Sequence, residues 1–199
     1  LSQLLKQQVR KINKYKDRSI NNIPNSVADT NCDSFSKKTS TLKMKVDKFR
    51  PIIKDSIRYQ EILEAKTTDF PELKEIDSNI DFAEKLIQTT RIWESLASRI
   101  NEVPFVHIDM QKFIEDSKEL GNEIENIRET ITKPSAFLSE LSVNLQEFDP
   151  YLDQLQQLSS GKMQPRHWLK LFHDCGQEYA YNPEITIRQL LSLGILMNK

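Results

Sequence analysis

A chain of 199 residues that is 29% charged and 38% hydrophobic, with four glycines, reads as all-α, each helix burying one stripe and solvating the rest. Its net charge of −1 excludes an overall electrostatic pull toward nucleic acid or an anionic membrane. Two lone cysteines, Cys32 and Cys175, make no disulfide framework and suit a reducing compartment.

Residues 1 to about 20 form the first predicted element, an amphipathic helix with Leu1, Leu4, Leu5, Val9 and Ile12 at helical spacing. It carries too many Lys and Arg for a signal sequence, and no apolar run approaches the ~20 residues of a membrane span. From Asn21 to Thr41 the sequence turns to Asn, Ser, Thr and Asp around Pro24. That stretch is expected to be a polar loop or disordered linker marking a boundary. Phe49-Arg50-Pro51 is expected to open a second helix with Pro51 in its first turn, buried through Ile53, Ile57, Ile62 and Leu63 and broken by Asp69 to Pro71.

Three heptad-like stripes follow. Ala83, Leu86, Thr90, Trp93, Ala97 and Ile100 form one, with Ser78-Asn79-Ile80-Asp81 as its capping box. After Val103-Pro104 comes Phe113, Leu120, Ile124, Ile127 and Ile131, and after Lys133-Pro134 comes Leu138, Leu141, Leu145, Phe148, Leu152 and Leu155. Such stripes pack side by side within one chain, as in an elongated antiparallel bundle. Pro150 interrupts the third stripe: either Asp149 caps a new helix or the helix kinks there. A three-turn helix from Pro165 to Cys175 closes at Gly176. Thr186-Ile187-Arg188-Gln189 is a capping box for a last helix stopped by Gly194. Trp93 and Trp168 read as core fillers. The predicted domains are 1–20, an N-terminal helix; 21–41, a linker; and 42–199, a helical bundle.

Charge divides the chain. Residues 1–60 hold 14 Lys and Arg against 5 Asp and Glu, and residues 61–199 hold 14 against 24. A basic N-terminal arm can meet an acidic partner, although a solvated basic helix and loop is the plainer reading. Catalytic chemistry does not emerge. Gly161-Lys162-Met163 lacks the hydroxyl and the first glycine of a phosphate loop. His167, His173 and Cys175 are spaced so that they diverge on a helix rather than share a metal. The acidic groups Glu115/Asp116/Glu119 and Glu123/Glu125 read as solvated faces. No catalytic, cofactor or metal residues are assigned.

From about Ile80 onward a series of landmarks resembles the N-terminal part of the linker in dynein heavy chains. They are Phe82 to Trp93 (FAEKLIQTTRIW), Phe105-Val106-His107-Ile108-Asp109, Phe148-Asp149-Pro150, Met163-Gln164-Pro165-Arg166-His167-Trp168, and Thr186 to Leu193 (TIRQLLSL). Residues 1–75 are similar only in being helical. No Trp precedes Phe105, where many members have one. The resemblance implies a non-catalytic excerpt of a longer microtubule motor, at the junction of tail and linker. Its movement would be driven by the AAA+ ring of the same heavy chain, with ATP bound there and no cofactor in this segment. Dynein intermediate or light chains near the tail would be partners, the microtubule only an indirect one, with no nucleic acid and no membrane. The setting implied is cytoplasm and cytoskeleton, and the number of axonemal heavy chains favours a cilium axoneme. Arg166, His167 and Trp168, with Pro150 and Trp93, would be the structural signature, the first three locking the junction after the Pro150 bend. The alternative is a generic helical scaffold or tether of spectrin type, binding partners through exposed faces.

Overall fold

In a computed structural model the chain is described over residues 2–21, 23–27, 31–130, 135–176 and 182–196. It is all-α, with α1 (Ser2–Asn21), α2 (Cys32–Ile62), α3 (Pro71–Asn101), a 3-10 turn η1 (Phe105–His107), α4 (Met110–Thr130), α5 (Ala136–Gln146), a 3-10 turn η2 (Asp149–Tyr151), α6 (Leu152–Leu158), α7 (Pro165–Asp174) and α8 (Ile187–Ser192). These form two compact units, Leu1–Gln88 and Thr89–Lys199.

The first unit is an antiparallel bundle of α1, α2 and the first part of α3. Along α2 the buried residues are Cys32, Phe35, Thr39, Leu42, Val46, Phe49, Ile53, Ser56 and Gln60, an unbroken alternation of three and four. That is a heptad seam, and Leu42, Val46, Phe49 and Ile53 pack with Ile12 of α1 and Phe70, Ile76 and Ile80 of the α3 side. Helix α1 runs against α2, since the Gln8 amide donates to Ser56 Oγ at 2.6 Å and Tyr15 meets Phe49 edge to face. Helix α3 runs against α2 as well, with the Cys32 thiol donating to the Ile87 carbonyl at one end and Arg50 paired with Asp77 further along.

Several expectations change here. The polar stretch does not stay irregular to Thr41. Asn31 caps α2 by accepting from the Ser34 amide at 2.8 Å, and Asp33 adds a negative charge to the first turn. The seam hides in the sequence because Cys32 and Thr39 occupy core positions between serines and lysines. Pro51 therefore lies inside α2, on an exposed position, rather than opening a helix. Ser78 does not cap either: it sits within α3, where its hydroxyl donates back to the Lys74 carbonyl. In α1 the buried line passes through Gln8, Ile12 and Ser19, while Val9 is exposed. Leu1 and the side chains of Leu4 and Leu5 lie outside the described residues.

Helix α2 ends in a Schellman turn. The Ala65 amide bonds the Gln60 carbonyl and the Glu64 amide the Glu61 carbonyl, with Glu64 at a φ of 52°. The buried Gln60 side chain then holds the connection to α3, donating to Thr68 Oγ1 at 2.8 Å and accepting from the Thr68 amide at 3.0 Å.

In the second unit α4 packs on α5 and α6. Met110, Phe113, Ser117, Leu120, Ile124 and Ile127 form its buried seam; Ile131 and Lys133-Pro134 lie outside the described residues. Helices α5 and α6 run back along α4. A Cβ on Gly121 would lie 3.5 Å from Leu145, and Gln156 donates to Gln111 at 3.0 Å. All six apolar residues of the third stripe, from Leu138 to Leu155, are buried. At Pro150 the chain neither caps through Asp149 nor bends one continuous helix. Helix α5 ends, η2 makes a single tight turn with Pro150 near its start, and α6 begins. Pro150 costs no helix hydrogen bond there, because the first amides of a turn have no partner within it.

Gly176 and Gly194 follow the last residues of α7 and α8 at φ 70° and 68°, the left-handed position that glycine fills without steric cost.

Candidate functional site

The signature residues separate into buried and exposed ones. Trp168 is 3% exposed, whereas Arg166, His167 and Pro150 are exposed and Trp93 is half-buried. Trp93 is therefore not the core filler expected. Its neighbour one turn on, Leu96, takes the buried position on α3, and an indole is large enough that one edge often stays in water.

Around Trp168 the sequence landmarks meet. Its ring stands edge-on to Phe105 of η1 at 6.0 Å and tilted against Phe172, one turn along α7, at 6.1 Å. Such pairs add to the area they bury. Phe105 is held by its own backbone, its amide donating to the Ile185 carbonyl at 2.7 Å beside an isolated antiparallel bridge between Pro104 and Thr186. Thr186 in turn starts α8 by a reciprocal pair of bonds. Its Oγ1 accepts from the Gln189 amide at 3.3 Å, and Gln189 Oε1 accepts from the Thr186 amide at 3.0 Å.

Arg188, on the first turn of α8, binds three residues of two other segments. Its Nε donates to Asn101 Oδ1 at 3.2 Å at the end of α3, and one terminal nitrogen donates to Glu147 Oε1 at 2.9 Å after α5. The guanidinium also lies 5.1 Å from the centroid of the Phe148 ring, a cation–π arrangement. Residues 101, 147, 148 and 188 are thus gathered at the break that precedes Pro150. The sequence shows Arg188 only as a member of the Thr186 capping box, and gives no signal for its contacts with Asn101, Glu147 and Phe148 or for Phe172 beside Trp168.

His167 has a local task. Its Nδ1 accepts from the Gln164 amide at 3.2 Å at the start of α7. A neutral imidazole accepts once only, so Arg166, whose Nε lies 3.3 Å from His167 Nε2, adds proximity rather than a second acceptor bond. Arg166 and His167 therefore shape the helix start, and of the three signature residues Trp168 alone enters the core.

The chemistry of this region is packing and hydrogen bonding. Among the described residues no group of three His, Cys, Asp or Glu is arranged to hold a metal, and no helix is long and apolar enough to cross a membrane. His173 is largely in solvent beside Asp174, and Asp116 of the acidic α4 face pairs with Arg99 of α3 at 2.5 Å.

Comparison with curated proteins and with solved structures finds no match. Residues 73–199 match the family of the dynein heavy chain, N-terminal region 2. The matched span begins at the start of α3, takes in every landmark just described, and covers more than half the chain. The chain belongs to the dynein heavy-chain N-terminal region 2 family, a non-catalytic part of a cytoskeletal motor's heavy chain.

Proposed function

We propose that this chain is the tail-proximal part of the dynein linker and that it transmits force generated in an AAA+ ring of the same heavy chain. ATP would be bound in that ring, and intermediate or light chains would lie near the first unit. The observation that carries the reading is the node at Trp168, where segments of the family match are drawn together. Phe105, Trp168, Phe172 and the capped start of α8 interlock there, and Arg188 fastens α8 to the ends of α3 and α5. A strut needs stiffness, and dense side-chain packing supplies it because a filled core resists deformation.

The test is Trp168→Ala in the parent heavy chain, read as microtubule gliding speed and as stability of the 199-residue chain. Losing a buried indole is expected to cost about 3–5 kcal/mol and to slow gliding, while Trp168→Phe keeps most of both. If Trp168→Ala leaves stability and gliding speed unchanged, the force-transmitting reading is abandoned. The generic scaffold reading keeps no specific support over residues 73–199, which the dynein family accounts for.

A further inference from the structure

The three edges of the first unit's bundle are not alike. Between α2 and α3, Lys43 pairs with Glu84 at 2.7 Å and Arg50 with Asp77. Between α1 and α3, Lys16 pairs with Glu75 at 2.8 Å. Lys16 and Lys43 are each raised above the ordinary lysine value, chiefly by the hydrogen bond to their glutamate. These two edges are closed by opposite charges.

The edge between α1 and α2 is lined differently. Lys11 lies there, its Nζ 5.8 Å from the centroid of the Phe49 ring on α2, and Arg18 follows seven residues on. On α2, Lys45, Ile52 and Tyr59 recur every seven residues on the flank of the seam opposite to Lys43 and Arg50, and Lys38 continues that row past the end of α1, whose Gln8 and Tyr15 lie level with Ser56 and Phe49. All six are exposed, and the ion pairs among the described residues include none of the four cations. Lys11 has the Phe49 ring beside it, whereas Arg18, Lys38 and Lys45 have no carboxylate across this edge among the described residues. The same edge then presents Ile52 and Tyr59, 46% and 56% exposed, one heptad apart.

We propose that the α1–α2 edge is a docking groove for an acidic amphipathic helix of a separate polypeptide. Its carboxylates would neutralise Lys11, Arg18, Lys38 and Lys45, and its apolar residues would cover Ile52 and Tyr59. The seven-residue repeat of the lining matches the repeat of a helix laid along it. Nucleic acid would call for exposed aromatic platforms between the cations, whereas Phe49, the ring beside Lys11, is buried and the exposed Tyr59 lies a heptad past Ile52. A lipid surface takes a continuous apolar face, whereas Ile52 and Tyr59 are two residues a full heptad apart in a row that otherwise carries lysine. The proposal rests on the first unit, most of which precedes residue 73, and stands apart from the linker reading.

The probe is a fluorescein-labelled acidic peptide of about four heptads, with Leu at the core positions and Glu at the flanking ones, titrated with the 199-residue chain. Saturable binding is expected, weakened about tenfold or more by Arg18→Glu with Lys45→Glu, and likewise by Ile52→Ser with Tyr59→Ser. These positions are exposed, so thermal melts will show the variants folded. Lys45→Glu alone is expected to raise the melting temperature by about 1–2 °C while weakening binding, an opposition that a merely solvated edge would not produce. Absence of saturable binding overturns the proposal, as does equal binding by a scrambled peptide of the same composition or by the groove variants. Tighter binding to phosphatidylserine vesicles or to a single-stranded oligonucleotide overturns it too, in favour of that partner class.

Discussion

Gln8 and Ser56 occupy seam positions where a heptad ordinarily carries leucine. Both are buried, and the 2.6 Å bond between them is completed by Ser56 donating onward to the Ile52 carbonyl at 2.8 Å, while Gln8 Oε1 has no partner among the described residues. A single polar contact in an apolar seam fixes register at a cost in stability. Ser56→Ala is therefore expected to destabilise the chain by about 1–3 kcal/mol, because the Gln8 amide is left buried and unpaired. Adding Gln8→Leu should recover most of that loss, since replacing both partners removes the desolvation penalty. Urea unfolding of the two single variants and the double variant measures the coupling, and strict additivity would contradict the account. Neither residue was legible as core in the sequence. Periodicity is read from apolar side chains, and at α1 it was drawn through Val9, which the structure leaves exposed.

Helix α2 shows how an element can be half legible. Its C-terminal half is announced by Ile53 and Ile57, but its first residues, 32–41, carry Cys32, Thr39 and a run of Ser and Lys and read as loop. What distinguishes a helix there is the cap at Asn31 and the apolar members Phe35, Leu42 and Val46 of the seam, a signal spread too thinly for composition to register. Pro51 strengthened the misreading, because proline is welcome at a first turn and costly in an interior. Here it is interior, and the Asp47 carbonyl loses the amide that any other residue would offer it. Pro51→Ala is accordingly expected to stabilise the chain by about 1–3 kcal/mol, seen as a higher urea midpoint with an unchanged slope. A lower midpoint would mean that the proline sets a bend which the bundle requires.

Across the whole molecule, the order of the landmarks was legible but their convergence was not. Phe105, Trp168 and the Thr186 box could each be picked out along the chain. Nothing local says that Arg188 reaches residues 87 and 41 positions away, because such contacts depend on how helices return on one another. The division after Gln88 was equally hidden, since it falls inside α3, a helix with no break in its sequence pattern. Proteins open in cooperative pieces set by local packing rather than by secondary-structure boundaries. If the two units are such pieces, Trp168→Ala should accelerate amide exchange from Thr89 onward and leave Lys11–Phe49 unchanged, with Ser56→Ala doing the reverse. Helix α3 is the sharpest reporter. Its amides up to Gln88 should follow the Ser56 variant and those from Thr89 to Asn101 the Trp168 variant, although hydrogen bonds run unbroken between them. Uniform acceleration along α3 in either variant would mean that the helix, rather than the packing around each of its halves, is the unit of stability.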